Sequence, residues 1–124
     1  DVIVFAPNAT GPLMQIPASG GTPTPATTLD GSHGENAHRF PQFLPDGKHF
    51  LYAALPGKDN KVDTRVGTLD AVSGPVLLAS PNVATYAAPG FLVFNQNESV
   101  VAQAFDASTL ELSGSPRVVR SHAS

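Results

Sequence analysis

Hydrophobic residues in this chain fall in short runs that are separated by proline and glycine. Most windows between these breaks are shorter than a typical helix of about 11 residues, and they are rich in Val, Ile, Leu, Phe and Tyr, which favour strands. The pattern therefore predicts an all-β chain of eleven short strands. They are Val2–Phe5, Pro12–Ile16, Pro25–Leu29, Arg39–Leu44, Lys48–Ala54, Val62–Leu69, Pro75–Ala79, Val83–Ala88, Phe91–Asn95, Ser99–Phe105 and Pro116–Val119.

One segment favours a helix on propensity alone. Glu98–Phe105 lies within a long window that lacks proline and glycine, and its residues are compatible with a helix. Its apolar positions form no stripe along one helix face, however, and Asn95, Asn97 and the run Asp106–Thr109 are typical of turns. We therefore predict two strands here, joined by a hairpin.

The segment Leu44–Lys48 carries the strongest turn signal of the chain. Its Asp-Gly pair accommodates positive φ, and the proline before that pair presets the bend. We expect a hairpin that joins Arg39–Leu44 to Lys48–Ala54. Consecutive apolar positions in His49–Ala53 and Phe91–Phe94 further indicate sheets that are covered on both faces.

A weak internal repeat groups the predicted strands. Val2–Phe5 recurs as His49–Tyr52 and again as Leu92–Phe94, and each copy is followed by a second strand and then by an outer strand that begins at proline. Repeats of about 40 to 45 residues with four strands are typical of β-propeller blades. We thus predict an incomplete blade over residues 1–30 that lacks its inner strand, full blades over 37–80 and 83–120, and a tail over 121–124.

The predicted fold is therefore a partial β-propeller of about 2.7 four-stranded antiparallel blades, fewer than the four or more of a closed propeller. Its open ends would expose unpaired strand edges and the apolar faces of the terminal blades. We expect a homodimer or higher homo-oligomer that completes the ring.

Composition excludes several classes of protein. The formal net charge is -3 and the basic residues are scattered singly, which argues against a nucleic-acid partner. The most apolar stretch, Val76–Phe94, is interrupted by Pro81 and Pro89, so we expect no membrane insertion. Without cysteine the chain has no disulfide, no Cys-based zinc site and no thiol nucleophile.

Several motifs resemble a known family. The run HRFPQFLPDGKHFLY (His38–Tyr52) is similar to the WD40-like, TolB-type (PD40-like) β-propeller repeats that follow the kinase domain in many bacterial serine/threonine kinases. The segments Gly11–Gly21, Tyr86–Phe94 and Gln103–Gly114 resemble later blades of the same domains. The resemblance implies a propeller outside the cytoplasmic membrane. No kinase signature is present in the sequence, so it implies no kinase activity.

The histidines come closest to a chemical site. His33, Glu35 and His38 have residue types and spacings that could ligate a divalent metal, although no recognised metal motif is matched and no other cofactor is expected. The alternative for His38 is hydrogen bonding between blades, and the alternative for Asp46 is a turn rather than acid–base chemistry. Ser32 beside His33 offers a hydroxyl and an imidazole, but adjacent residues rarely orient as a catalytic triad.

A binding surface, if one exists, is expected at the mouth of the central channel, where inner strands and their loops converge. A peptide or a small molecule would be its ligand. The candidate residues are His38, Arg39, Gln42, Thr85 and Tyr86.

Three functions follow from these observations. The favoured one is a non-catalytic protein-interaction or sensor module that self-associates to close a ring. The second is a small hydrolase whose channel-mouth or interface site uses His33, Glu35, His38 or Asp46, with or without a metal. The third is a purely structural, self-assembling propeller fragment.

Overall fold

The computed structural model describes residues 2–69 and 74–121, and within them the chain is all-β. Eleven strands are present in these residues, together with the short 3₁₀ helices Gly31–His33 and Lys58–Asn60. The strands are β1 (Val2–Phe5), β2 (Met14–Pro17), β3 (Thr24–Pro25), β4 (Ala37–Phe43), β5 (His49–Leu55), β6 (Val62–Thr68), β7 (Val76–Ser80), β8 (Thr85–Ala87), β9 (Phe91–Gln96), β10 (Ser99–Asp106) and β11 (Glu111–Ser121). The described part of the chain holds no helix of the length and hydrophobicity that a bilayer crossing requires.

The strands form three antiparallel sheets that follow one another along the chain. The first sheet has the order β1-β2-β3, the second β4-β5-β6-β7 and the third β8-β9-β10-β11. Within each sheet, every strand therefore pairs with its neighbours in sequence, as expected for strands joined by short connections. The predicted all-β class is confirmed.

Most predicted strands are found with small changes at their ends. The outer strand predicted at Pro25–Leu29 was too long, because the structure has only Thr24–Pro25 as a strand, and Thr27 turns its hydroxyl inward to accept the Leu13 amide at 2.9 Å. The strand predicted at Pro116–Val119 was too short, because β11 begins at Glu111, directly opposite Asp106.

All three predicted hairpin turns lie within the described residues and are confirmed. In the turn between β10 and β11, the Asp106 carboxylate accepts the amides of Ser108 and Thr109 at 2.8 and 3.3 Å. In the Asp-Gly turn, the Asp46 carboxylate accepts the amides of Lys48 and His49, each at 2.9 Å, and Gly47 has a φ of 69°. Between β9 and β10, Asn97 and Glu98 adopt φ values of 49° and 64°, so this segment forms a turn and a strand rather than a helix. Residues 70–73, and residues 122–124 of the predicted tail, lie outside the described residues.

The second sheet lies between the other two. On one side, Phe50 and Tyr52 pack against Leu13 and Ala26, which flank strands of the first sheet. On the other side, the second and third sheets share a second cluster. Its fully buried members are Leu44, Leu51, Val66, Ala84, Leu92, Phe94, Val101 and Phe105. Strand β5 is thus covered on both faces, as its consecutive apolar residues predicted.

The first and third sheets differ from the second because the described chain covers them on one face only. In β9, Leu92 and Phe94 are buried while Val93 between them is half-exposed, so the described chain covers this strand on one face. In β1, Val4 packs on the second sheet, whereas Ile3 is 51% exposed. The expectation that Phe91–Phe94 is covered on both faces is therefore wrong within the described chain, because no sheet lies against the far side of the third sheet.

Candidate functional site

A buried polar network occupies the junction between the first and second sheets. His38, on β4, is 1% exposed, and both of its ring nitrogens are engaged. Its Nδ1 lies 2.7 Å from Thr27 Oγ1 and its Nε2 lies 2.7 Å from Glu35 Oε1. Because Thr27 Oγ1 already accepts the Leu13 amide, its hydroxyl is free to donate to Nδ1, and Nε2–H then donates to Glu35. A neutral His38 satisfies every member of this chain of hydrogen bonds.

Glu35 is the centre of the network. Its side chain is fully buried, and Oε2 accepts the Nε and Nη2 groups of Arg65, both at 2.8 Å. Arg65 Nη2 also lies 3.1 Å from Asp30 Oδ2, and Nη1 donates to the Gly74 carbonyl at 2.6 Å. One guanidinium therefore pairs with two carboxylates, of which that of Glu35 is fully buried, and such pairing is the condition under which buried charges are tolerated.

Asp30 caps the 3₁₀ helix that carries Ser32 and His33. Its Oδ1 accepts the Ser32 amide at 3.0 Å and the Ser32 hydroxyl at 2.5 Å, and its Oδ2 lies 2.7 Å from His33 Nδ1. The Ser32 hydroxyl lowers the pKa of Asp30 most, desolvation opposes this, and His33 lowers it further, so that the pKa lies well below its usual range. Asp30 is thereby kept ionised.

These three residues do not form a catalytic triad. Ser32 Oγ lies 3.3 Å from His33 Nδ1, which is the same ring nitrogen that Asp30 holds. In a triad the nucleophile and the carboxylate bind opposite nitrogens of the histidine. The arrangement therefore orients His33 but does not activate Ser32.

The three metal candidates are engaged with protein groups. Glu35 and His38 bind each other, and His33 binds Asp30. Within the described residues, no group of three or more His, Cys, Asp or Glu side chains is arranged to hold a metal ion. The Arg65 guanidinium supplies the positive charge that a cation would bring to these carboxylates.

The channel-mouth candidates divide between two sheet junctions. Gln42 Nε2 donates to the Tyr86 carbonyl at 3.0 Å, and the Tyr86 amide donates to Gln42 Oε1 at 2.9 Å, which links β4 to β8. Arg39 donates twice to the Ala9 carbonyl, at 3.0 and 2.5 Å, and so links β4 to the first sheet. His38 is buried in the polar network, while Thr85 is exposed.

Sequence reasoning missed Thr27 and Arg65 as members of the buried polar network. Arg65 carried a usable signal, because an arginine in the middle of a strand is seldom buried unless a carboxylate pairs with it. Thr27 carried none, since threonine is common in strands and its role depends on the loop that brings it to His38.

A cavity of about 450 Å³ opens beside the polar network. It is lined by His33, Gly57, Asp63, Val76 and Ala79. Asp30 holds His33 through Nδ1, so Nε2 of this half-exposed ring has no protein partner within the described residues. The residues that line the cavity therefore include an imidazole with one nitrogen available.

An apolar surface covers the outer side of the first sheet, and we call it the first-sheet end face. Val4 points toward the second sheet, so its neighbours in β1 point away from it. Ile3 pairs with Ile16, and Phe5 pairs with Met14, directly across the two strands. The first-sheet end face consists of Ile3, Phe5, Met14 and Ile16.

A matching surface, the third-sheet end face, covers the outer side of the third sheet. Val93 pairs with Ala102 and Phe91 with Ala104, on the side away from the buried Leu92. The third-sheet end face consists of Phe91, Val93, Val100, Ala102 and Ala104, all half-buried.

Two arginines border the third-sheet end face. Arg117 lies opposite Ala102 and Arg120 opposite Val100, and a register shift in β11 places both on the same side of the sheet. Neither forms an ion pair with a carboxylate among residues 2–69 and 74–121. The border of this face is therefore cationic.

No protein-family model matches the chain, and no match is found among curated proteins or solved structures. Function is therefore inferred from the contacts and surfaces of this molecule.

Proposed function

We propose that the three sheets are blades of a partial β-propeller and that the protein is a non-catalytic protein-interaction module that self-associates to close a ring. The observation that carries this proposal is the pair of uncovered apolar end faces on the first and third sheets. Apolar patches of this kind mark sites of protein association. The meandering order of the strands within each sheet is the order that propeller blades use.

The first sheet supports the ring proposal further. Within the described residues it has three strands where the second and third sheets have four, and β1 pairs with a strand on one side only, whereas β5 and β9 pair on both sides. Two copies of the chain would supply close to six blades, which lies within the range of closed propellers of about 4 to 8 blades.

The use of the polar side chains supports a non-catalytic role. His38 and Arg65 both bind Glu35 inside the molecule, where a substrate would have to displace them. Gln42 binds the backbone of Tyr86, so neither its amide nitrogen nor its amide oxygen is unoccupied. These groups hold the sheets together.

Light scattering across a range of protein concentrations, with and without EDTA, tests this proposal. We expect a discrete oligomer of two or more copies whose mass is unchanged by EDTA. A monomeric mass at every concentration would contradict self-association. Discrete oligomers that bind no peptide or small molecule would favour the purely structural alternative.

A second candidate function, a small hydrolase, is favoured by the cavity beside His33. Asp30 fixes Nδ1 of this imidazole, which leaves Nε2 available as a general base toward a cavity that Asp63 also lines. His49 provides a matched control, because Asp46 binds it through Nδ1 in the same way. His49 does not line the cavity.

The hydrolase candidate is tested with model ester, phosphoester and peptide substrates over a range of pH. We expect hydrolysis that is lost in His33→Ala and retained in His49→Ala. Equal activity in both variants, or none in the unmodified protein, rules this candidate out.

A further inference from the structure

The second and third sheets use equivalent sides of β5 and β9 to contact the sheet that precedes them. Phe50 and Tyr52 of β5 face the first sheet, and Leu92 and Phe94 of β9 face the second. In the repeat that aligns the three strands, Ile3 occupies the position of Phe50. Ile3 is 51% exposed, whereas Phe50 is fully buried. The first-sheet end face is therefore the side on which a preceding sheet would pack.

The opposite side of each strand contacts the sheet that follows. Val4 of β1 packs toward the second sheet, and Leu51 of β5 packs toward the third. The equivalent position in β9 is Val93, which faces no other sheet in the part of the chain that the structure describes. The third-sheet end face is therefore the side on which a following sheet would pack.

We propose that the first-sheet end face of one copy packs on the third-sheet end face of a second copy, head to tail. This inference rests on the self-association proposed above and specifies which surfaces meet. The contact continues an arrangement that the chain already makes twice, from the first sheet to the second and from the second to the third. Each copy then buries the apolar residues that it leaves uncovered alone.

Charge favours this pairing over contact between two third-sheet end faces. Arg117 and Arg120 border that face, and two such faces would bring four guanidinium groups together without acidic partners. Strands β1, β2 and β3 contain no charged residue. A first-sheet end face therefore adds no like charge beside these arginines.

The experiment places one lysine on each face in separate variants. Ile3→Lys disables the first-sheet end face and Val93→Lys disables the third-sheet end face, since a buried unpaired ammonium opposes association. We expect each variant alone to associate at least about tenfold more weakly than the unmodified protein. Native mass spectrometry of an equimolar mixture should then show heterodimers, because one intact junction remains between the two variants.

Two controls keep the result interpretable. Val118→Lys makes the same change at a valine that is 60% exposed on the other side of the third sheet, opposite Val101, and should leave the mass unchanged. Thermal unfolding checks that each variant folds. Should Ile3→Lys or Val93→Lys fail to fold, Ile16→Lys and Ala102→Lys change the directly opposite residues on the same faces.

The outcomes separate this inference from the proposed function. If the unmodified protein is oligomeric but Val93→Lys remains fully associated, first-sheet end faces meet each other and the head-to-tail arrangement is wrong. If Ile3→Lys remains fully associated, third-sheet end faces meet each other, and the head-to-tail arrangement is again wrong. Absence of heterodimers in the mixture also contradicts the head-to-tail arrangement. A monomeric unmodified protein overturns the proposed self-association itself.

Discussion

Arg65 joins parts of the chain that are far apart in sequence. It binds Glu35 and Asp30, which precede it by 30 and 35 residues, and it holds both carboxylates against the second sheet. The Glu35 side chain is fully buried, so water cannot replace the guanidinium if it is removed. Loss of the guanidinium would therefore leave a buried carboxylate without its charged partner.

Replacement of Arg65 by leucine should lower the free energy of unfolding by about 3–5 kcal/mol, because Glu35 would remain buried without its partner. Urea unfolding followed by circular dichroism measures the change. Arg39→Leu is the matched control: its guanidinium binds the Ala9 carbonyl at the surface, and its loss should cost about 1 kcal/mol or less. Equal losses in the two variants would contradict the central role of Arg65.

Asp46 makes the stability of the protein depend on pH in the acidic range. Desolvation alone would raise the pKa of Asp46, but hydrogen bonds from the His49 amide, the His49 ring and the Lys48 amide lower it to about 2. A carboxylate with a depressed pKa stabilises the fold above its unfolded pKa of about 4 and loses that contribution as the pH falls toward 2.

We therefore expect Asp46→Asn to be less stable than the unmodified protein at neutral pH, by about 1 kcal/mol after allowance for solvent screening of this partly exposed side chain. The difference should vanish between about pH 4 and pH 2. Denaturant unfolding at several pH values tests this. Glu111→Gln, at an exposed carboxylate, serves as the control, and a difference that persists at pH 2 would refute the linkage.

For individual residues, the sequence predicted contacts between near neighbours in the chain better than contacts between distant residues. The role of Asp46 in its turn could be predicted, because an aspartate two residues before an amide reaches it without help from the rest of the fold. The pairing of Arg65 with Glu35 could not, because it depends on how a loop and a strand are brought together. For the same reason, the sequence alone leaves metal binding by Glu35 open.

Strand β4 holds the three sheets together. At its start, Gly11 forms a parallel bridge with Ala37, with the Gly11 amide 2.8 Å from the Asn36 carbonyl. Farther along, Gln42 makes two hydrogen bonds to the backbone of Tyr86 in the third sheet. One strand therefore contacts both neighbouring sheets through polar groups as well as apolar ones.

Replacement of Gln42 by leucine should destabilise the protein by about 2 kcal/mol, because the Tyr86 amide and carbonyl would lose their partners at a half-buried junction. Thermal and urea unfolding measure the loss. Gln103→Leu removes a hydrogen bond from an exposed glutamine to the Gly114 carbonyl and should change stability by about 0.5 kcal/mol or less. A Gln42 variant as stable as the Gln103 variant would show that the junction is held by apolar packing alone.

The existence and order of the strands were predictable, whereas their ends were not. Val2–Phe5 was predicted with the bounds that the structure has, because proline and asparagine follow it closely. The short β3 was not predicted, because Thr27 is drawn inward by His38, a residue of another sheet. Pairing within a hairpin is local, while the contacts that shorten or extend an outer strand are not.

Burial is distributed unevenly over the whole molecule. Strand β5 has Phe50, Leu51, Tyr52, Ala53 and Ala54 at 1% exposure or less, and it pairs with β4 on one side and β6 on the other. The first sheet contains three strands of two to four residues. The second sheet is therefore the part of the molecule that should open last.

Hydrogen exchange should reflect this order. In dilute protein, amides in β5 and β6 should exchange slowest, by global unfolding, while amides in β1 and β3 should exchange through local opening at lower free energy. Mass spectrometry of peptides covering each strand measures the difference, and peptides that contain only turn residues calibrate complete exchange. Equal protection of β1 and β5 would mean that the three sheets unfold as one unit.

The two unlike end faces also bear on how an assembly stops growing. When copies associate through unlike faces, an open chain of copies has an unoccupied face at each end and can add another copy there. Growth therefore ends only if the rotation from sheet to sheet completes a full turn and closes a ring. A row that misses closure continues as a helical filament, with a critical concentration and a rising viscosity. The angle set at the Gln42–Tyr86 junction would therefore decide between a closed particle and a fibre.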